Sequence, residues 1–405
     1  MNISAEYSVS LHFMKPYFLI ASFFLPLSMV WLFFIDPFAP LTSLETVGWV
    51  HLYFLGFVML SIFSAMAQLG PVIVETKHKN EKIFKTIWKF LIPGIVFMVA
   101  GFYLNISLLL VGGGLVFVAM ALYAFEFLWT LQTMKRKTTI TYAMKLSNIF
   151  LLLGIINGLI MALGFNGYLA VKIQTYLELH TFMLLLGFIL VLIMGASIIL
   201  IPMFGLAKRL SDNTFAKSFI PLVLALAFIL LGVFDPYLTQ MAYVMAFISI
   251  GFYIYQLYSM FASRKKVVYD IWTLHIYVAY SSFLVSIFFF LLSIHNQVFL
   301  APSFWLFFVG FIGFLIIGNF YKIVPFLLWF YKYAPLIEEQ SVPMLHQLIN
   351  QKRVHLQWFF SSFGVVLSSF ALLFDNGNLF YGGVTLLSVG GVLFFLEIYK
   401  VLKAL

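Results

Sequence analysis

The chain reads as an all-α polytopic membrane protein with twelve transmembrane helices, and three observations predict this. Of its 405 residues, 63% are hydrophobic and only 9% are charged, where a soluble globular chain carries about 25% charged residues. The apolar stretches run to about 20 residues and recur along the whole sequence, which is the length a helix needs to cross a hydrocarbon core of about 30 Å. Within those stretches one spacing recurs: Gly-Phe, a small residue eight positions after the glycine, and a proline fifteen after it. It appears at Gly56-Phe57, Ser64 and Pro71, at Gly187-Phe188, Gly195 and Pro202, and at Gly310-Phe311, Gly318 and Pro325. The copies lie about 125 residues apart, and a fixed period signals internal repetition. Short alternating segments are lacking, which excludes a β-barrel.

The spans are expected at roughly 17–35, 48–74, 86–103, 106–131, 144–167, 178–204, 217–235, 240–262, 271–294, 302–330, 355–374 and 380–401. The first sixteen residues are not expected to be a cleaved signal, because the first apolar run is long enough to span and has no evident cleavage site. The loop after span two carries Lys77, Lys79, Lys82 and Lys85. The loop after span four carries Lys135, Arg136 and Lys137, with Lys145 close by. Lys208 and Arg209 follow span six, and Arg264, Lys265 and Lys266 follow span eight. The opposite loops hold Asp36, Glu45, Asp235, Asp375 and Asn376. Every basic loop thus follows an even-numbered span, so the positive-inside rule places both termini in the cytoplasm and the chain in the cytoplasmic (inner) membrane. The net charge of +9 belongs to this topology and not to nucleic acid. The chain has no cysteine, which excludes disulfides, thiolate metal sites and cysteine nucleophiles.

The recurrent spacing falls on spans two, six and ten. A second echo closes spans four, eight and twelve: Tyr123-Ala124-Phe125-Glu126, Tyr253-Ile254-Tyr255-Gln256 and Phe394-Phe395-Leu396-Glu397, each followed by basic residues. The whole chain, 1–405, is therefore a single transmembrane domain of three four-helix repeats, approximately 1–137, 138–266 and 267–405. Repeats of one orientation predict pseudo-threefold packing about the membrane normal, with spans two, six and ten in the middle, where Gly and Ser let backbones approach. A longer loop at 331–353, with Glu338, Glu339, Pro343 and His346, is expected on the cytoplasmic side with room for a short interfacial helix.

Candidate chemistry rests on few residues. His51 and His180 each open a central helix at its outer end, within seven residues of the Gly-Phe step. His295 ends span nine on the same side. A histidine between helices ligates haem iron or copper through a ring nitrogen; one at a helix end also simply meets headgroups and water, and both readings stand for His51 and His180. His12, His78, His346 and His355 are expected in solvated ends or loops, and His275 at a solvated start of span nine. Lys322 lies inside span ten. It either snorkels, or pairs with Glu126 or Glu397, or meets an anion such as a haem propionate. Gln68 and Asn319 are expected to make interhelical hydrogen bonds.

Three four-helix units, with histidine at the outer end of spans two and six, resemble subunit I of the haem–copper oxidases. The segment His51-Leu52-Tyr53-Phe54-Leu55-Gly56-Phe57 through Gln68-Leu69-Gly70-Pro71 is similar to the second span of short oxidase-like proteins related to the cbb3 type. So are His180 through Gly187-Phe188, Gly195 and Pro202-Met203-Phe204, and Gly318 through Lys322-Ile323-Val324-Pro325-Phe326-Leu327 and Trp329. The NnrS family, twelve-span and associated with haem and copper, is a near neighbour, but the chain lacks its Trp-His-x-His-Glu-Met run. In the oxidases, histidines on spans two and ten hold a low-spin haem, a second histidine on span ten holds the high-spin haem, and histidines on spans six and seven hold copper. Here spans seven and ten contain no histidine.

What the resemblance implies is the scaffold, a haem b or copper site at His51 and His180, and no oxygen-reducing binuclear centre. The expected roles are electron transfer, haem or copper handling, or a nitric-oxide or oxygen response, with the lipid bilayer and a respiratory-chain or metal-handling protein as partners. A solute transporter or channel, or a cofactor-free scaffold or assembly partner, stands as the alternative. Against transport, no polar stripe crosses the membrane.

Overall fold

The structure, a computed structural model, describes residues 7, 9–135, 137–267 and 269–404; Arg136 of the second basic loop lies outside the described residues. Twelve helices are long and apolar enough to cross a membrane. They are α1 (Leu11–Phe34), α2 (Leu44–Val74), α3 (Glu81–Tyr103), α4 (Leu108–Gln132), α5 (Thr139–Phe165) and α6 (Ile173–Gly205), then α7 (Asp212–Leu231), α8 (Pro236–Ala262), α9 (Ile271–Ser293), α10 (Gln297–Leu336), α11 (Gln351–Leu373) and α12 (Gly377–Lys403). The chain is thus an integral, all-helical membrane protein. The expected spans all appear. α2, α6 and α10 run longer than expected because each begins several residues earlier, and α10 also ends later, at Leu336. Short polar side chains set many of the starts: Ser43, Thr138, Ser211, Asp235, Asp270, Asn350 and Asn376 each accept a backbone N–H of the first turn. A cap of this kind is worth about 1 kcal/mol.

The helices cluster into two compact units. One comprises Met1–Val9, Ala67–Gly101 and Asn105–Val268, hence α3 to α8 with the end of α2. The other comprises Ser10–Met66, Phe102–Leu104 and Tyr269–Leu405, hence α1, most of α2 and α9 to α12. In the first unit, α3 and α4 approach so closely that a Cβ on Gly112 would collide with the Met98 backbone. In the second, Gly364 of α11 and Gly383 of α12 face each other, and a Cβ on either would lie 2.8 Å from the other's carbonyl oxygen. Small residues therefore carry helix contacts here, as expected where hydrophobicity alone does not drive association.

Each recurrent Gly-Phe step sits in a stretch of widened, π-helical turns: Phe54–Met59, Phe182–Leu190 and Leu306–Gly313. All three phenylalanines, Phe57, Phe188 and Phe311, are fully buried. All three glycines press on the helix before their own. A Cβ on Gly56 would overlap the Phe24 ring of α1, one on Gly187 would lie 2.9 Å from Phe150 of α5, and one on Gly310 would lie 2.6 Å from Ser282 Oγ of α9. The three helices are also the most enclosed, with 72, 67 and 72% of their apolar windows buried against at most 56% in the other nine. The prolines act on the far ends. α2 and α6 each stop four residues after theirs, at Glu75 (φ 54°) and Leu206 (φ 55°) in the left-handed region. α10 departs from the pattern: past Pro325 it widens again over Trp329–Tyr333 and tightens over Ala334–Leu336. The expected 331–353 loop is correspondingly shorter, and it holds only a brief tight turn at Leu345–Gln347 in place of an interfacial helix.

Candidate functional site

His51 and His180 share a local construction. His51 Nδ1 lies 2.8 Å from the carbonyl of Val47, one turn back on α2, and its ring packs on Phe102 with centroids 5.1 Å apart. His180 Nδ1 lies 2.8 Å from the carbonyl of Gly154 on α5, where a Cβ on Gly158 would sit 2.9 Å from the imidazole. A carbonyl can only accept, so Nδ1 carries the proton in both rings and the lone pair lies on Nε2. A metal-ligating histidine has the same arrangement, one nitrogen donating to a carbonyl and the other bound to metal. Both rings are half-buried. They belong to different units. His295, the third candidate, is exposed at the end of α9. Among the described residues no three His, Asp or Glu side chains converge as a metal site would require.

The wide turn of α10 serves as a polar anchor beside α2. Tyr53 donates to the Phe308 carbonyl at 3.1 Å, inside that turn. A Cβ on Gly313 would lie 2.6 Å from the same hydroxyl. Trp49 donates to the Ser28 carbonyl and stacks on both Tyr53 and Trp305, at 5.7 and 5.8 Å. Trp49 and Tyr53, each two positions from His51, are thus held in place within the second unit.

The buried charges are placed otherwise than expected. His78 is not solvated: its side chain is 2% exposed and bonds Glu126 at 2.6 Å. Its Nε2 lies 3.1 Å from the Ala67 carbonyl. Both ring nitrogens face oxygen atoms, so the imidazole is held at both ends. The Ala67 carbonyl is available because Pro71, four residues on, has no N–H to offer it. Glu126 also accepts from the Asn80 N–H and the Thr130 hydroxyl. On α12 Glu397 accepts from the Asn350 N–H at 2.8 Å and from Arg353 at 2.9 Å. On α8 Gln256 accepts from Ser218 and donates to the Thr214 carbonyl at 2.6 Å. One device recurs: a polar residue near the ends of α4, α8 and α12 binds the starts of α3, α7 and α11.

Lys322 pairs with neither Glu126 nor Glu397. It meets Asp270 at 2.6 Å, both side chains being about a third exposed, and Asp270 caps α9 at the same time. Asn319 accepts from Trp272 at 3.3 Å, an interhelical bond as expected. Gln68 donates to the Val9 carbonyl at 3.0 Å, outside any helix. His275, expected at a solvated start of α9, is fully buried. Its Nδ1 lies 2.8 Å from the Ile271 carbonyl and its Nε2 2.9 Å from Gln357, which also meets Tyr321 and Ser361. An imidazolium there would cost several kcal/mol without a counter-ion. Turning the Gln357 amide over, which leaves its shape unchanged, lets a neutral ring accept instead. His12, His346 and His355 are exposed, as expected.

Residue reasoning missed Gln357, Asn350 and the true partners of both glutamates. The signal was available: a carboxylate inside an apolar run needs a donor, and His78 stands in the loop before α3 and Arg353 in the first turn of α11.

These features define a polytopic helical membrane protein whose two buried glutamates, Glu126 and Glu397, are both paired and whose three most buried helices share a widened turn. No protein-family model matches the chain, and no curated protein does.

Proposed function

We propose that the chain is an atypical, oxidase-subunit-I-like protein of the cytoplasmic membrane, with both termini in the cytoplasm and three four-helix repeats set about a pseudo-threefold axis. It binds haem b, with copper as the alternative metal, through His51 and His180. It serves electron transfer, haem or copper handling, or a nitric-oxide or oxygen response, without an oxygen-reducing centre. The observation that carries this reading is the shared construction of the two histidines: each precedes a widened turn on an equivalent helix, and each has its Nδ1 held by a main-chain carbonyl at 2.8 Å. Haem is favoured over copper because an iron porphyrin needs only one or two protein ligands. Haem when bound would supply a one-electron couple; the protein's part is to orient the imidazoles.

The reduced-minus-oxidised absorption spectrum of the purified protein, with metal analysis, tests this. A haem signal is expected, and it is expected to disappear in His51→Ala or His180→Ala. Unchanged haem and metal content in both variants would overturn the site.

A second reading is favoured by the tight packing of the same rings against Gly158 and Phe102. On this view the histidines are packing residues of a cofactor-free scaffold or transporter. A colourless, metal-free protein of full helical content supports it, and an uptake assay in liposomes then separates transport from scaffolding.

A further inference from the structure

We propose that the first three turns of α3 form a binding site for the phosphate headgroup of an anionic phospholipid. Lys82, Lys85 and Lys89 follow one another at spacings of three and four and so share one face of the helix. All three are exposed. The opposite face, with Phe84, Ile87 and Leu91, is buried. Lys89 sits beside Trp88, its Nζ 5.9 Å from the indole centroid.

Depth distinguishes this stripe from an ordinary solvated charge run. Lys89 lies eight residues into α3, about 12 Å along the axis at 1.5 Å per residue. A lysine at that level of an apolar helix is costly unless its ammonium reaches an anion or the interface. Indole rings also favour the headgroup level. The stripe therefore starts at the polar end of α3 and continues on its exposed face into the apolar part of the helix.

The neighbouring loops add to its charge. Thr76 donates to the Thr133 carbonyl at 3.0 Å, and the Lys79 N–H to Thr130 at 3.1 Å. These bonds bring Lys77, Lys79 and Lys135 to the same end of the unit. Of the acids there, Glu126 is bonded to His78. An anionic phospholipid suits this surface; a zwitterionic one brings its own cation and loses most of the attraction.

The test uses the full chain, delipidated in detergent. Binding of phosphatidylglycerol and of phosphatidylcholine is titrated by native mass spectrometry, with helical content checked by circular dichroism. Phosphatidylglycerol is expected to bind in preference. The triple variant Lys82→Gln, Lys85→Gln, Lys89→Gln is expected to bind it about a hundred-fold more weakly, from roughly fivefold per lysine. Should the triple variant not fold, Lys89→Gln alone is expected to lose about fivefold. The control removes the same charge elsewhere, with Lys208→Gln, Arg209→Gln and Lys266→Gln, and is expected to bind as the parent does. Equal losses in control and test variants would show net charge and no site. Equal binding of the two lipids, or full competition by inorganic phosphate, would likewise overturn the proposal.

Discussion

Glu126 and Lys322 are both charged residues in apolar helices, yet the structure assigns them unlike energetics. The Glu126 carboxylate is about 1% exposed and bonded to His78 at 2.6 Å. Removing its charge weakens the bonds it accepts from His78, the Asn80 N–H and Thr130, and hydrogen bonds to a charged group contribute about 1.5–3 kcal/mol. Glu126→Gln is therefore expected to lower the unfolding free energy in detergent by about that amount, and Glu126→Gln with His78→Leu to recover part of it. The Lys322–Asp270 pair is about a third exposed on both sides, and such pairs contribute at most about 1 kcal/mol. Lys322→Gln is expected to shift stability by less than that. If the two variants were equally destabilised, the contrast in burial would not be what governs them. The buried His275–Gln357 pair should behave cooperatively. His275→Leu and Gln357→Leu are each expected to cost about 1–3 kcal/mol by stranding the partner, and the double variant less than their sum.

At the scale of elements, glycines of identical composition should answer differently to one added methyl. A Cβ on Gly310 would sit 2.6 Å from Ser282 Oγ, whereas one on Gly251 or Gly114 meets nothing within 4 Å. Gly310→Ala is expected to destabilise by about 1–3 kcal/mol through overpacking. Gly251→Ala is expected to be neutral or stabilising by up to about 1 kcal/mol, because alanine favours the helix. Thermal unfolding of the two variants side by side checks this, and a Gly310→Ala protein as stable as the parent would remove the role given to the widened turn. Much of this was legible beforehand. The Gly-Phe, small and proline spacing marked α2, α6 and α10 as equivalent, and all three widen at that step. The early end of α2 and α6 against the continuation of α10 was not legible, since all three carry the same proline. Trp329 simply continues the helix where Glu75 and Leu206 turn left-handed.

For the whole molecule, the absence of cysteine makes topology directly measurable. Lys79→Cys and Lys266→Cys are expected to react with an impermeant thiol reagent from one side of the membrane, and Phe234→Cys from the other. Labelling of Lys79→Cys and Phe234→Cys from the same side would break the alternation on which the count of twelve spans rests. Phe234 is strongly exposed at the α7–α8 turn, so accessibility is not limiting.

By itself the sequence determined the membrane class, the number of spans and the spacing shared by α2, α6 and α10. Each of these follows from local quantities: the length of an apolar run, the placement of charge between runs, and a spacing along one chain. Only the tertiary structure decided which polar groups meet. Glu126 finds His78 across 48 positions and His275 finds Gln357 across 82. Such pairings depend on how helices cross, which no single stretch encodes. The same holds for the histidines opening α2 and α6. Their position was plain in the sequence, but that both rings turn Nδ1 to a main-chain carbonyl depends on a carbonyl presented by α2 itself in one case and by α5 in the other.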